Sequence, residues 1–129
     1  MGLGRLYLFK VLGFLMSRRH FAYPHPQYGS LHIVSGWDRP LQGFFLTVTR
    51  EKVLSLEGEP TFLFSNLDSD TFPPGMHSEE AMISLEQVRQ VLTHHSIPTP
   101  VNYFLDLLED ARLNVGSLDH HYTLRERVR

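Results

Sequence analysis

Residues 31–50, LHIVSGWDRPLQGFFLTVTR, decide the predicted fold of this chain. Two runs rich in β-branched and aromatic residues, which favour strands, flank a short polar stretch. Pro40 disfavours a helical conformation at Arg39, and Gly36 and Gly43 free the backbone on either side. The stretch therefore predicts a β-hairpin with a wide loop at its tip.

The second run of the hairpin alternates apolar and mixed residues, so Phe44, Leu46 and Val48 share one apolar face of a strand. After the turn-forming sequence EGEP, residues 61–65 predict a third strand, with Phe62 and Phe64 on that same face. Residues 120–124 predict a last strand at an edge of the sheet. Together these runs predict an antiparallel β-meander of three to four strands.

Two helices follow the strands. Ser84 is the predicted N-cap of the first helix, with Gln87 as its capping-box partner. Thr99 and Pro100 predict the start of the second helix, and Gly116 its end. Its predicted buried stripe consists of Val101, Phe104, Leu107, Leu108 and Ala111. The predicted fold class is α+β, an antiparallel β-meander of three to four strands packed against a C-terminal α-helical hairpin.

A chain of 129 residues corresponds to about one domain. Residues 1–22 are basic and apolar and predict an N-terminal extension, while residues 23–129 predict a single α+β domain. Residues 23–30, with two prolines and a glycine, predict an extended connection of polyproline type. Both Met1 and Met16 are candidate natural start residues.

Composition excludes several classes of protein. The chain has no cysteine, so a disulfide framework, a thiolate nucleophile and Cys-ligated zinc are impossible. Its net charge of −2 argues against attraction of the whole surface to nucleic acid. The apolar run at residues 11–16 is too short to cross a bilayer, which takes about 20 residues. These features predict a cytoplasmic protein without membrane association.

The chain carries no motif for catalysis or cofactor binding. It has no GxSxG, HExxH or Walker sequence, so we predict no cofactor and no local metal motif. The eight histidines include adjacent pairs, whose side chains point in different directions. A metal site assembled across separate elements, for example from Asp119, His121 and His77, stays open as an alternative.

The tip of the predicted hairpin is the main candidate for a binding site. Tryptophan and arginine are enriched where proteins bind one another, and Trp37 and Arg39 flank Asp38 at this tip. With Phe45 beside them, these residues predict a partner-binding surface. The alternative is structural, with Trp37 packing on Pro40 or the sheet and Asp38 capping the turn.

Both ends of the chain carry basic residues that suggest a second kind of partner. Arg18 and Arg19 lie near the start, and Arg125 and Arg127 lie near the end. If the ends meet in space, these four residues form a candidate nucleic-acid-binding patch.

The sequence therefore predicts a non-enzymatic domain with a protein-binding or regulatory role. The expected partner is another protein or a second copy of the chain, because half-covered sheets and open edges favour homodimers. A nucleic-acid-binding regulator is the first alternative. A His-dependent metalloenzyme is the second.

Overall fold

The computed structural model describes residues 15–50 and 61–124. The strands in these ranges are β1 (Ser17–His25), β2 (Gly29–Asp38), β3 (Gly43–Arg50), β4 (Thr61–Ser65) and β5 (Leu118–His121). The α-helices are α1 (Leu85–His94) and α2 (Tyr103–Arg112), and a short 3₁₀ turn spans Ser69–Thr71.

The strands form one sheet in the order β4-β3-β2-β1-β5. Neighbours from β1 to β4 pair antiparallel, whereas β5 pairs parallel to β1. The predicted hairpin is β2 and β3, in which Leu31 pairs with Arg50 and Asp38 pairs with Gly43. The predicted α+β class is confirmed, and the edge strand begins at Leu118, slightly earlier than predicted.

β1 is an inner strand that the sequence did not predict. It crosses the predicted boundary between residues 22 and 23, and a turn at residues 26–28 leads into β2 in place of a polyproline connection. The parallel pairing with β5 reaches only as far as His20. Pro24 therefore lies where β1 has become an edge, and edge strands tolerate proline.

The hydrophobic core lies between one face of the sheet and the two helices. On the sheet it contains Phe21, Leu31, Ile33, Phe44, Leu46, Val48 and Phe64, and on the helices Val88, Val91, Leu92, Tyr103 and Leu107. The rings of Phe21 and Tyr103 meet edge to face, with centroids 5.0 Å apart. The opposite face of the sheet, called the helix-free face below, carries neither α1 nor α2.

Phe62 does not share a face with Phe64, so that prediction is wrong. Val48 pairs with Phe64 while its neighbour Thr49 pairs with Phe62, so the ladder skips Leu63. Because side chains alternate along a strand, one extra residue moves Phe62 to the helix-free face. It is exposed there.

The start of α1 agrees with the sequence, but the start of α2 does not. The Ser84 hydroxyl accepts the Gln87 N–H at 3.1 Å, and the Gln87 side chain accepts the Ser84 N–H at 2.9 Å, which confirms the capping box. α2 begins at Tyr103, after Asn102 with a left-handed φ of 67°. Thr99 and Pro100 therefore precede the helix without capping it.

The buried side of α2 also differs from the predicted stripe. Tyr103, Leu107 and Asp110 are its buried residues. Val101 and Leu108, both predicted to be buried, are exposed. A charged partner for Asp110 on β1, described below, explains why a charged residue occupies this face.

Both helices end in the same motif without glycine. In α1 the N–H of Ile97 bonds to Leu92 and that of Ser96 to Thr93, and the φ of Ser96 is 56°. This 6→1 and 5→2 pattern is the Schellman motif. α2 repeats it, with Asn114 at a φ of 51° in the left-handed position instead of the predicted Gly116.

Each helix has ten residues. Within residues 15–50 and 61–124, no helix has the length and apolar character needed to cross a membrane.

Candidate functional site

Trp37 and Asp38, two residues of the predicted partner-binding surface, have structural contacts at the hairpin tip. The Trp37 ring meets Phe44 edge to face at 5.2 Å, and its indole N–H donates to the Asn114 side chain at 2.9 Å. Asp38 is buried, and its carboxylate accepts the N–H of Leu41 at 2.9 Å. These contacts fasten the tip to the end of α2 and close the turn.

The remaining two residues of that surface, Arg39 and Phe45, have different surroundings. Arg39 is exposed, and its side chain passes over Gly116. Phe45 is half-buried on the helix-free face, opposite to the face that holds Phe44 and Trp37. Trp37, Asp38, Arg39 and Phe45 therefore do not form one continuous surface, and their partner-binding role stays a prediction.

Arg18 and Arg19 point to opposite faces of the sheet. Arg19 faces α2, where its guanidinium donates to both carboxylate oxygens of Asp110 at 2.7 and 2.9 Å. Arg18 lies on the helix-free face, 3.8 Å from Asp119. Arg125 and Arg127 lie outside the described residues. The nucleic-acid-binding patch therefore stays a prediction. Arg19, one of its four residues, already binds the Asp110 carboxylate within the protein.

The helix-free face carries a group of polar side chains that we call the histidine cluster: His20, His32, Asp119 and His121. Parallel pairing of β1 with β5 sets His20 beside His121 and Arg18 beside Asp119. His32 enters from β2, one diagonal step from His20, because its direct neighbour on β1 is Ala22. The sheet register alone thus brings together residues from three strands.

His20 lies at the centre of the histidine cluster. Its Nε2 lies 2.6 Å from Asp119 Oδ1, and its Nδ1 lies 3.2 Å from His32 Nε2. His121 stacks on His20 with ring centroids 4.2 Å apart, and its Nε2 lies 3.9 Å from Asp119 Oδ2. One atom from each of His20, Asp119 and His121 can be chosen so that all three lie within 4.8 Å of one another.

The electrostatics of the histidine cluster favour neutral His20 beside ionised Asp119. Partial burial lowers the pKa of His20, and this outweighs the opposing effect of the Asp119 carboxylate. Partial burial works against ionisation of Asp119, but the hydrogen bond from His20 and the nearby charges dominate and lower the pKa of Asp119. At neutral pH the ionised Asp119 carboxylate therefore offers lone pairs to a cation, and neutral His20 can coordinate once the proton on its Nε2 has moved to Nδ1.

The sequence predicts part of the histidine cluster. Its candidate metal set was Asp119, His121 and His77, and the first two do lie together. His77 is in the loop before α1, where its carbonyl accepts from the Gln87 side chain, and it does not join the cluster. The spacing of Asp119 and His121 is a local signal, because residues two apart on a strand share a face. His20 and His32 join the cluster only through the pairing of β1 with β5 and β2, which the sequence did not predict.

Similarity to known proteins gives no indication of what the helix-free face does. No protein-family model, no curated protein and no solved structure matches the chain. The functional interpretation therefore rests on the geometry of the described residues.

Proposed function

We propose that this protein binds a divalent transition-metal ion on the helix-free face, through His20, Asp119 and His121. The observation that carries the proposal is the convergence of three ligand atoms within 4.8 Å, two of them from residues 99 positions apart in the chain. This develops the metal-binding part of the second alternative predicted from the sequence, a His-dependent metalloenzyme.

The donor set suits a particular group of metals. Two imidazoles and one carboxylate are ligands for zinc, cobalt, nickel or ferrous iron, whereas magnesium and calcium favour all-oxygen sites. Three protein ligands would leave at least one coordination position for water or another small ligand. An open position distinguishes such a site from a purely structural one.

Small side-chain movements would be enough to admit an ion. Bonds of about 2.1 Å in a tetrahedral site put the donor atoms about 3.4 Å apart, so the 2.6 Å contact between His20 and Asp119 must open slightly. His121 must turn out of its stack on His20 so that its lone pair points at the ion. The side chains of Asp119 and His121 are 49% and 68% exposed and free to adjust, while His20, at 13%, is the fixed anchor.

Arg18 opposes cation binding. Its guanidinium lies 3.8 Å from Asp119, so its positive charge would repel an ion bound to that carboxylate. Its Nε is buried and has no hydrogen-bond partner in the described part of the chain. Replacing Arg18 with glutamine should therefore raise the affinity for the metal ion. Replacing any of the three ligands should lower that affinity, so the two kinds of variant change it in opposite directions.

Titration of Zn²⁺ or Co²⁺ into protein purified without a polyhistidine tag tests the proposal. We expect one ion per chain by calorimetry, with affinity reduced more than about tenfold in His20→Ala, Asp119→Ala and His121→Ala. Circular dichroism checks that each variant is folded.

His120→Ala is the matched control. His120 lies between Asp119 and His121 on β5 but pairs beside Arg19, so its ring contacts Tyr122 on the other face. This variant should keep the wild-type affinity. Absence of stoichiometric binding, or an equal loss in His120→Ala, would contradict the proposed site.

A homodimer formed through α2 is a second candidate function, which continues the protein-binding prediction. Leu105 and Leu108 are 65% and 54% exposed, and their spacing sets them opposite the buried side of α2, while Val101, 82% exposed, precedes the helix. Exposed apolar stripes of this kind commonly mark interfaces, and a second copy would present the identical stripe across a two-fold axis.

Analytical ultracentrifugation tests the dimer. Wild-type protein should sediment as a dimer at micromolar concentration, and Leu105→Lys with Leu108→Lys should sediment as a folded monomer. Leu67→Lys changes an equally exposed leucine outside α2 and should leave the dimer intact. A monomeric wild type would reject this candidate.

A further inference from the structure

We propose that His32 is a positioning residue of the metal site, which holds His20 through a hydrogen bond that reverses direction when the ion binds. The inference rests on the proposed function and adds a residue that contributes no ligand atom to it. The chain of contacts runs from Asp119 through both nitrogens of His20 to His32.

The metal-free arrangement follows from which groups can donate. An ionised carboxylate only accepts, so the 2.6 Å contact with Asp119 requires the proton of neutral His20 to be on Nε2. Nδ1 of His20 then has a lone pair and must accept. His32 Nε2, 3.2 Å away, therefore carries a proton and donates it to His20.

Ion binding reverses this arrangement. His20 can coordinate through Nε2 only if that nitrogen has no proton, so the proton of neutral His20 must then be on Nδ1. Nδ1–H now donates to His32 Nε2, which in turn must be an acceptor with its own proton on Nδ1. Each ring keeps one proton, so both histidines exchange tautomers without a change in charge, and the protons move through solvent.

His32 is well placed to hold either arrangement. It is half-buried on β2 and stacks against His20 with centroids 5.3 Å apart and an angle of 21° between the rings. The charged or titratable groups that contact His20 from the neighbouring strands are Asp119 and His121 on β5 and His32 on β2. Of these three, only His32 meets the Nδ1 side of the ring. Partners of this kind orient ligand histidines and raise metal affinity.

Long-range ¹H–¹⁵N spectra of histidine-labelled wild-type protein, recorded without and with Zn²⁺, test the tautomers directly. We expect the protonated nitrogen of His20 to change from Nε2 to Nδ1 on zinc addition, and that of His32 to change in the same way. His120 should keep its pattern. This measurement requires no variant, so it does not depend on whether a mutant folds.

Zinc affinity of two variants tests the positioning role. His32→Ala should lose about tenfold to hundredfold in affinity. His32→Gln, whose amide can donate or accept, should recover most of that loss.

The outcomes separate the two proposals. A wild-type protein that binds no zinc overturns both. If the wild type binds zinc but His32→Ala binds it equally well, or the His32 pattern does not change, the positioning role is overturned while the metal site stands.

Discussion

Replacing Arg19 with alanine should lower the free energy of unfolding by about 3–5 kcal/mol, because the change leaves the Asp110 charge buried without a partner. The side chains of Arg19 and Asp110 are 11% and 3% exposed. Two parallel hydrogen bonds of 2.7 and 2.9 Å join them, the geometry in which arginine binds a carboxylate most strongly. These bonds raise the pKa of Arg19 further above its ordinary value, so the guanidinium stays charged at every accessible pH.

Neighbouring groups make this pair the main polar link between β1 and α2. The Tyr122 hydroxyl accepts from Arg19 at 2.7 Å and donates to Asp106. Burial and the hydrogen bond to Asp106 raise the pKa of Tyr122, so it remains a donor throughout the physiological range. The Tyr103 hydroxyl donates to the backbone carbonyl of Arg19 at 2.8 Å. Loss of the guanidinium would therefore disturb several bonds at once.

Urea denaturation of wild type and variants measures the effect. Arg112→Ala is the matched control, because Arg112 pairs with Glu109 on the exposed side of the same helix and should contribute almost nothing. Replacing both partners, Arg19→Met with Asp110→Leu, should recover most of the lost stability, since no buried charge remains. Equal stability of Arg19→Ala and Arg112→Ala would show that the buried pair does not hold α2 on the sheet.

Replacing Gly36 with alanine should cost at least about 3 kcal/mol and sharply reduce the yield of folded protein. A Cβ at this position would lie 1.7 Å from the carbonyl oxygen of Ser17 and 2.9 Å from the Phe45 ring. The start of β1 is held here, because the Ser17 hydroxyl accepts the Trp37 N–H at 2.9 Å. The backbone cannot withdraw without breaking that contact, so the added methyl group strains the inner part of the sheet.

Gly116→Ala provides the comparison for Gly36→Ala. The nearest atom to its new Cβ would be Arg39 Nη1 at 2.8 Å, the end of an exposed and flexible side chain that can move aside. We expect this variant to stay within about 1 kcal/mol of wild type in thermal unfolding. If both alanine variants unfold at similar temperatures, the close approach of β1 to β2 at Gly36 is not a stability determinant.

The candidate site shows how far sequence patterns reach. Asp119 and His121 were named together as an example of a metal site assembled across elements, and the two do lie together, because residues two apart on a strand share a face. His77 was wrongly added, since nothing in its sequence neighbourhood reports which side of the fold the long loop occupies. His20 was missed because it lies in a segment, SRRHFAYPH, whose basic residues and proline are untypical of an inner strand.

What the sequence determined by itself was local. The β2–β3 hairpin and the Ser84 capping box follow from residues close together in the chain, where propensity, alternation and capping act directly. Tertiary structure alone decided the pairing of β1 with β5, the bulge that turns Phe62 outward and the burial of Asp110 on α2. Each of these depends on groups far apart in the chain: Arg19 and Asp110 are 91 positions apart, and their attraction exists only once the sheet and helix have met. Most of the histidine cluster belongs to this second class, because His20 and His32 become neighbours of Asp119 and His121 only through the register of three strands.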